Sequence, residues 1–126
     1  MNDRKPIPIP KLDTVTIELL PIDTLKLKGT ITKQGPAQDL AGFFGAIHRD
    51  GIERKLAAVR VDVSELTFVD SSAIRLFVDW ATWLKKEKGP RYTLHFLTSR
   101  HVTWQKTSFL ALTALLGDVL AIDKID

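Results

Sequence analysis

Asp70, Ser71 and Ser72 stand in succession where a strand-like run gives way to helical spacing, within the stretch Val59 to Trp80. An acid followed by hydroxyls supports three kinds of chemistry. Asp70 or Ser71 can accept hydrogen bonds from the unpaired N–H groups of a first helical turn, and a carboxylate there complements the helix dipole. A serine can act as a nucleophile, but only with a base beside it, and neither sequence nor spacing supplies one for Ser71 or Ser72. A serine can also accept a phosphate, which adds about −1.5 to −2 charges at pH 7. The N-terminal end of a helix tolerates such an anion. Modification of Ser72 would therefore change the surface without unfolding the chain.

The residues that follow extend this site. At about 100° per residue, Ile74, Phe77, Val78, Ala81 and Leu84 share one helix face suited to packing on a sheet. Ser72, Leu76, Trp80 and Trp83 fall on a second stripe, mostly opposite the first, with Asp79 beside it. An exposed Leu-Trp-Trp stripe is a contact surface. The expected partner-binding residues are thus Ser72, Leu76, Asp79, Trp80 and Trp83, and a phosphate on Ser72 would repel whatever packs there. Coverage by another helix of the same chain, or a homodimer seam, is the alternative use of the stripe.

Other chemistry finds little support. The chain has no cysteine, which excludes disulfides, thiol nucleophiles and thiolate metal sites. There is no glycine-rich phosphate loop and no paired-histidine zinc motif. His48, His95 and His101 lack metal-ligand spacing, and structural or surface roles suit them better. No cofactor, metal or enzymatic activity is expected. The net charge of +3 is modest, and Lys85-Lys86-Glu87-Lys88 reads as a solvated helix end rather than a surface for direct nucleic-acid binding. No apolar run approaches the roughly 20 residues that span a bilayer, so membrane insertion is not expected. A cytoplasmic protein is.

The elements that must hold Asp70 to Ser72 follow from periodicity. With 126 residues, 44% of them hydrophobic, the chain suffices for one core. Residues 1–13 are expected to be a flexible lead-in and residues 14–126 one domain. Val15 to Leu19 and Leu25 to Thr32 predict strands, joined through Pro21-Ile22-Asp23 as a hairpin. Leu40, Phe43, Phe44 and Ile47 predict a helix between Ala37 and about Leu56, which Gly42, Gly45 and Gly51 would shorten or distort. Ala58 to Val63 predicts a buried strand. Two helices, Ser71 to Lys86 and Val102 to Leu116, then alternate with strands at Arg91 to Leu97 and Val119 to Ile122. The order β-β-α-β-α-β-α-β defines an α/β fold with a mixed sheet whose later strands are largely parallel.

Residues Val61 to Ile74 contain the pattern Asp-x-Ser-x-Leu-x-Phe-Val-Asp-Ser-Ser-Ala. It resembles the signature of the STAS domain family, the anti-sigma factor antagonists, and the element order from Val15 to Ile122 agrees. The resemblance implies a bacterial signalling protein that acts on transcription by partner switching. Unphosphorylated, such a protein binds a serine kinase or anti-sigma factor. The kinase phosphorylates the second serine after the aspartate, here Ser72, and a PP2C-type phosphatase resets it. Asp70 and Ser71 then serve beside the phosphosite, with Ser71 an alternative acceptor. Where the family ends its second strand with Gly-Glu-Leu-Asp, this chain has Gly29-Thr30-Ile31-Thr32. Thr32 replaces the acidic residue and is a further candidate contact or acceptor. Ala73 replaces the usual glycine, and the Trp80–Trp83 pair suggests a dedicated partner. The runner-up reading is a constitutive subunit of a lipid-transport or stress-sensing assembly, in which Asp70, Ser71 and Ser72 form only a cap and contact. Oligomeric state is left open.

Overall fold

The computed structural model describes residues 14–20, 23–31, 37–99 and 101–124. The expected lead-in, the Pro21-Ile22 half of the turn, and Thr32 lie outside the described residues. Alternating buried and exposed side chains build β1 (Val15–Leu20) and β2 (Thr24–Ile31). They pair antiparallel, from Val15 opposite Gly29 to Leu20 opposite Thr24, as the hairpin reading requires. Gly29 has a φ of +115°, and a Cβ at this position would lie 2.3 Å from the Thr14 carbonyl oxygen. That crowding restricts the position to glycine.

From β2 the chain alternates helix and strand: α1 (Ala37–Glu53), β3 (Ala58–Val69), α2 (Ser71–Lys85), β4 (Thr93–Thr98), α3 (Thr103–Leu116) and β5 (Leu120–Lys124). The five strands lie in sequence order, with β2, β3, β4 and β5 parallel. The three crossovers advance in one direction across the sheet, which under the right-handed rule for parallel connections puts all three helices on one face. Burial agrees with this. Leu25, Leu27, Val59, Val61, Leu94 and Phe96 point into the helix layer. Lys26, Lys28, Arg60, Asp62 and His95 alternate with them on the opposite, polar face. There Glu65 hydrogen-bonds Lys26 at 2.6 Å.

Two expectations need correction. The three glycines do not shorten α1, which runs unbroken for 17 residues because Leu40, Phe43, Phe44 and Ile47 are all buried. Burial of an apolar face outweighs helix propensity here. The strand expected to end at Val63 continues to Val69. Its register against β2 slips twice, since Lys26 and Lys28 face Asp62 and Glu65, and Gly29 and Thr30 face Leu66 and Phe68. Each slip is a bulge with one extra residue in β3. Inward positions therefore run Val59, Val61, Val63, Leu66, Val69 instead of keeping a period of two.

Aromatic side chains tie the helix layer together. Phe44 of α1 stacks on Trp80 of α2 with ring centroids 4.8 Å apart. Phe77 of α2 meets Phe96 of β4 at 5.3 Å, and Phe96 meets Phe109 of α3 at 4.7 Å. α2 is thus flanked by α1 on one side and α3 on the other.

Candidate functional site

The bulged half of β3 carries the Asp-Ser-Ser junction, and its support is unusual. β4 pairs with β3 only as far as Asp62 opposite Leu97. Beyond that point β3 would present carbonyls to a buried space with no strand to receive them. Side chains of α3 take over. Trp104 donates Nε1–H to the Leu66 carbonyl at 2.8 Å. Gln105, almost wholly buried, donates through Nε2 to the carbonyls of Val63 and Leu66. Its Oε1 accepts the Ser99 N–H at 2.9 Å. Within the strand, Asp62 accepts both the N–H and the hydroxyl of Ser64, at 2.9 and 2.6 Å, which stabilises the first bulge. Gln105 and Trp104 were not singled out by the sequence. An uncharged polar residue in helical register with the apolar positions Phe109, Leu112 and Leu116 was the available signal for Gln105.

The strand ends where Asp70 donates its N–H to the Ile31 carbonyl at 3.2 Å, linking the junction to β2. Asp70 has extended backbone angles, φ −92° and ψ −179°, and is the N-cap of α2. Its Oδ1 accepts the Ala73 N–H at 3.0 Å. This is the capping chemistry open to an acid at this position. Ala73 is fully buried under the first turn. Ser71 is exposed. Ser72 belongs to the first turn of α2, and its side chain lies outside the described residues. Arg75, one turn further on, is exposed and makes no hydrogen bond or ion pair among the described residues.

The expected exposed stripe is not present. Trp80 is 0% exposed and Leu76 is 9%. Trp83 and Asp79 are half-buried. A single helical projection assigns one buried arc, but α2 packs on the sheet and on α1, so its buried arc is wider. Ala73, Leu76, Phe77, Trp80, Ala81 and Leu84 are all inside. The alternative of coverage by the first helix accounts for Trp80. Trp83 lies eleven residues from Ser72, about 16 Å along the axis. It lines a shallow groove with Gly45, His48, Arg49 and Glu87, away from the Asp-Ser-Ser end.

Trp80 belongs to a buried polar chain that the sequence did not reveal. Its Nε1–H can only donate, and it donates to the Tyr92 oxygen at 2.6 Å. The Tyr92 proton then serves His48 Nδ1 at 2.7 Å. His48 Nε2–H is left to donate to Glu87 at 3.2 Å. In this tautomer every donor has an acceptor. Burial pushes the Tyr92 phenol well above its ordinary pKa, against the Trp80 hydrogen bond and with help from the Glu87 charge. The chain of contacts fixes α1, α2 and the entry to β4. Tyr92 is almost wholly buried, so the chain acts as a structural tie rather than a site open to substrate.

The exposed surface near the junction has a different make-up. Phe68, just before Asp70, is 53% exposed. It lines a shallow groove with Thr67, His101, Val102 and Trp104. Among the described residues, no group of three His, Asp or Glu side chains converges as metal ligands. No helix among them is long and apolar enough to cross a membrane.

This architecture is shared with a solved structure, an anti-sigma factor antagonist from Mycobacterium paratuberculosis. The two superpose with a TM-score of 0.58 at 18% identity, over 87% of this chain and 84% of that one. The fold is that of an anti-sigma factor antagonist, as the sequence resemblance implied. Neither protein-family models nor curated proteins give a match.

Proposed function

We propose that this chain is a regulatory interaction module without catalytic activity, whose binding of a partner is switched by phosphorylation of Ser72. The observation that carries the reading is the coincidence of two things. The fold is that of an anti-sigma factor antagonist, and its Asp-Ser-Ser sequence falls at the start of α2, capped by Asp70. The partner is a serine kinase of the anti-sigma factor type, and a PP2C-type phosphatase reverses the modification. Ser71 and Thr32 are the alternative acceptors.

The docking surface of this reading is the end of the molecule that bears Phe68, Ser71, Ser72 and Arg75, with Asp79 at its margin. Leu76 and Trp80 support it from beneath. Asp70 holds Ser71 and Ser72 on the first turn, where a phosphate meets the positive end of the helix. The fold therefore survives modification while the partner meets charge and bulk. Ser72→Asp should reduce binding to the kinase at least tenfold, whereas Ser72→Ala should bind like the parent and resist phosphorylation. Equal binding by both variants would refute the switch.

One observation favours the second reading, a constitutive subunit of a larger assembly. The Asp70 carboxylate is already used as a helix cap, which explains that residue with no phosphate. Under that reading Ser72→Asp leaves partner binding unchanged while Phe68→Ala weakens it.

A further inference from the structure

The outer face of α3 is unlike the rest of the surface. From residue 107 to residue 117 the sequence has no charged residue. Phe109, Leu112 and Leu116 are buried against the sheet and α2, yet Leu110 is 72% and Leu115 71% exposed on the other side. Ala111 and Ala114 are exposed between them. A helix that is apolar all round is ordinarily covered all round.

The arrangement of that face indicates what covers it. About a point between Leu112 and Thr113, four exposed residues, Leu110, Ala111, Ala114 and Leu115, read alike in both directions. A two-fold axis there sets Leu110 against the partner's Leu115 and Ala111 against the partner's Ala114. The alanines allow two helix axes to approach within about 8–10 Å. The ends also complement each other. The N-cap of α3 is Val102, which makes no side-chain cap hydrogen bond, so the cap residue itself supplies no acceptor to the positive end of the helix. Asp118 follows the opposite, negative end, half-exposed and, among the described residues, paired with Lys85 at 3.8 Å. Antiparallel pairing moves each Asp118 alongside the first turns of the facing helix, where a carboxylate is stabilised.

We propose that α3 is the seam of an antiparallel, two-fold homodimer. A helix of 14 residues presents a face about 21 Å long and 10 Å wide. That is short of the roughly 800 Å² a side of a standard interface, which is the size class of a weak, concentration-dependent dimer.

Sedimentation of the full chain between about 10 µM and 1 mM tests this. The parent should pass from monomer to dimer across the range. Leu110→Lys and Leu115→Glu should each weaken self-association at least tenfold, with far-UV circular dichroism unchanged because both side chains are exposed in the monomer. An equimolar mixture of the two variants should recover a mixed dimer, since the introduced lysine meets the introduced glutamate across the axis while the other Leu–Leu contact remains. A parent that stays monomeric, variants that dimerise like the parent, or a mixture that fails to recover would overturn the proposal. So would a monomeric parent that binds anionic phosphatidylglycerol vesicles through Leu110, since the face would then belong to a lipid surface.

Discussion

Tyr92 is the chain's single tyrosine, and its hydroxyl both accepts from Trp80 and donates to His48. Because folding raises its pKa, the stability it contributes is complete below the unfolded phenol value of about 10 and is lost as pH climbs from there through the folded value. Phenolate absorbance should accordingly stay absent in the native protein past pH 10 and rise with the loss of far-UV signal, while in urea it titrates near pH 10. Titration near pH 10 in a chain that remains folded would show an exposed phenol. Tyr92→Phe leaves the Trp80 N–H and His48 Nδ1 unpaired in the core, and should cost about 2–3 kcal/mol in urea denaturation. None of these partnerships was legible in sequence. His48 and Tyr92 are 44 residues apart, and nothing in local spacing tells which polar residues a fold brings together. Trp80 shows the opposite error, since its place on one stripe with Leu76 and Trp83 suggested exposure, whereas Phe44 of α1 stacks on it.

β3 shows where sequence periodicity succeeds and where it stops. The short valine-rich run Ala58 to Val63 identified its first half, and the two bulges then shift the phase by one residue each, so Leu66 and Val69 fall out of the period of two. The same bulges free the carbonyls that Gln105 receives. Gln105→Leu should therefore cost about 2–3 kcal/mol, and hydrogen exchange should show faster opening of residues 64–70 than of the β1–β2 hairpin. Uniform loss of protection would mean that Gln105 supports the whole core rather than this segment. At the next element, Asp70→Ala removes the cap of α2 and should lower stability by about 1 kcal/mol, with Asp70→Asn restoring most of it because either side chain caps well. The Asp70 cap was legible, since a short acid before a helical pattern has few other uses.

At the scale of the molecule, the order of strands and helices was readable almost throughout, because the helices keep apolar spacing and β4 and β5 follow the breaks at Gly89-Pro90 and Gly117. The motif from Asp62 to Ala73 pointed to the fold, and the likeness to an anti-sigma factor antagonist over 87% of the chain agrees. The docking surface was less legible. Exposure on α2 depends on how two other elements pack against it, and because Leu76 and Trp80 are buried the proposed surface is the end bearing Phe68, Ser71 and Arg75. Trp80→Ala should thus act as a core deletion, lowering stability by about 3–5 kcal/mol. Phe68→Ala should leave thermal stability within about 0.5 kcal/mol, as for exposed sites generally, while weakening partner capture from a native lysate. A Phe68→Ala variant that binds like the parent would remove that residue from the surface.

The central claim concerns one hydroxyl. Phosphosite mass spectrometry of the protein isolated from its native host, grown with and without stress, addresses it directly. The account predicts phosphate on Ser72 at an occupancy that changes with the growth condition. A chain unmodified at Ser72 under every condition would contradict the switch, and Asp70, Ser71 and Ser72 would then stand as the capped start of a helix in a constitutive subunit.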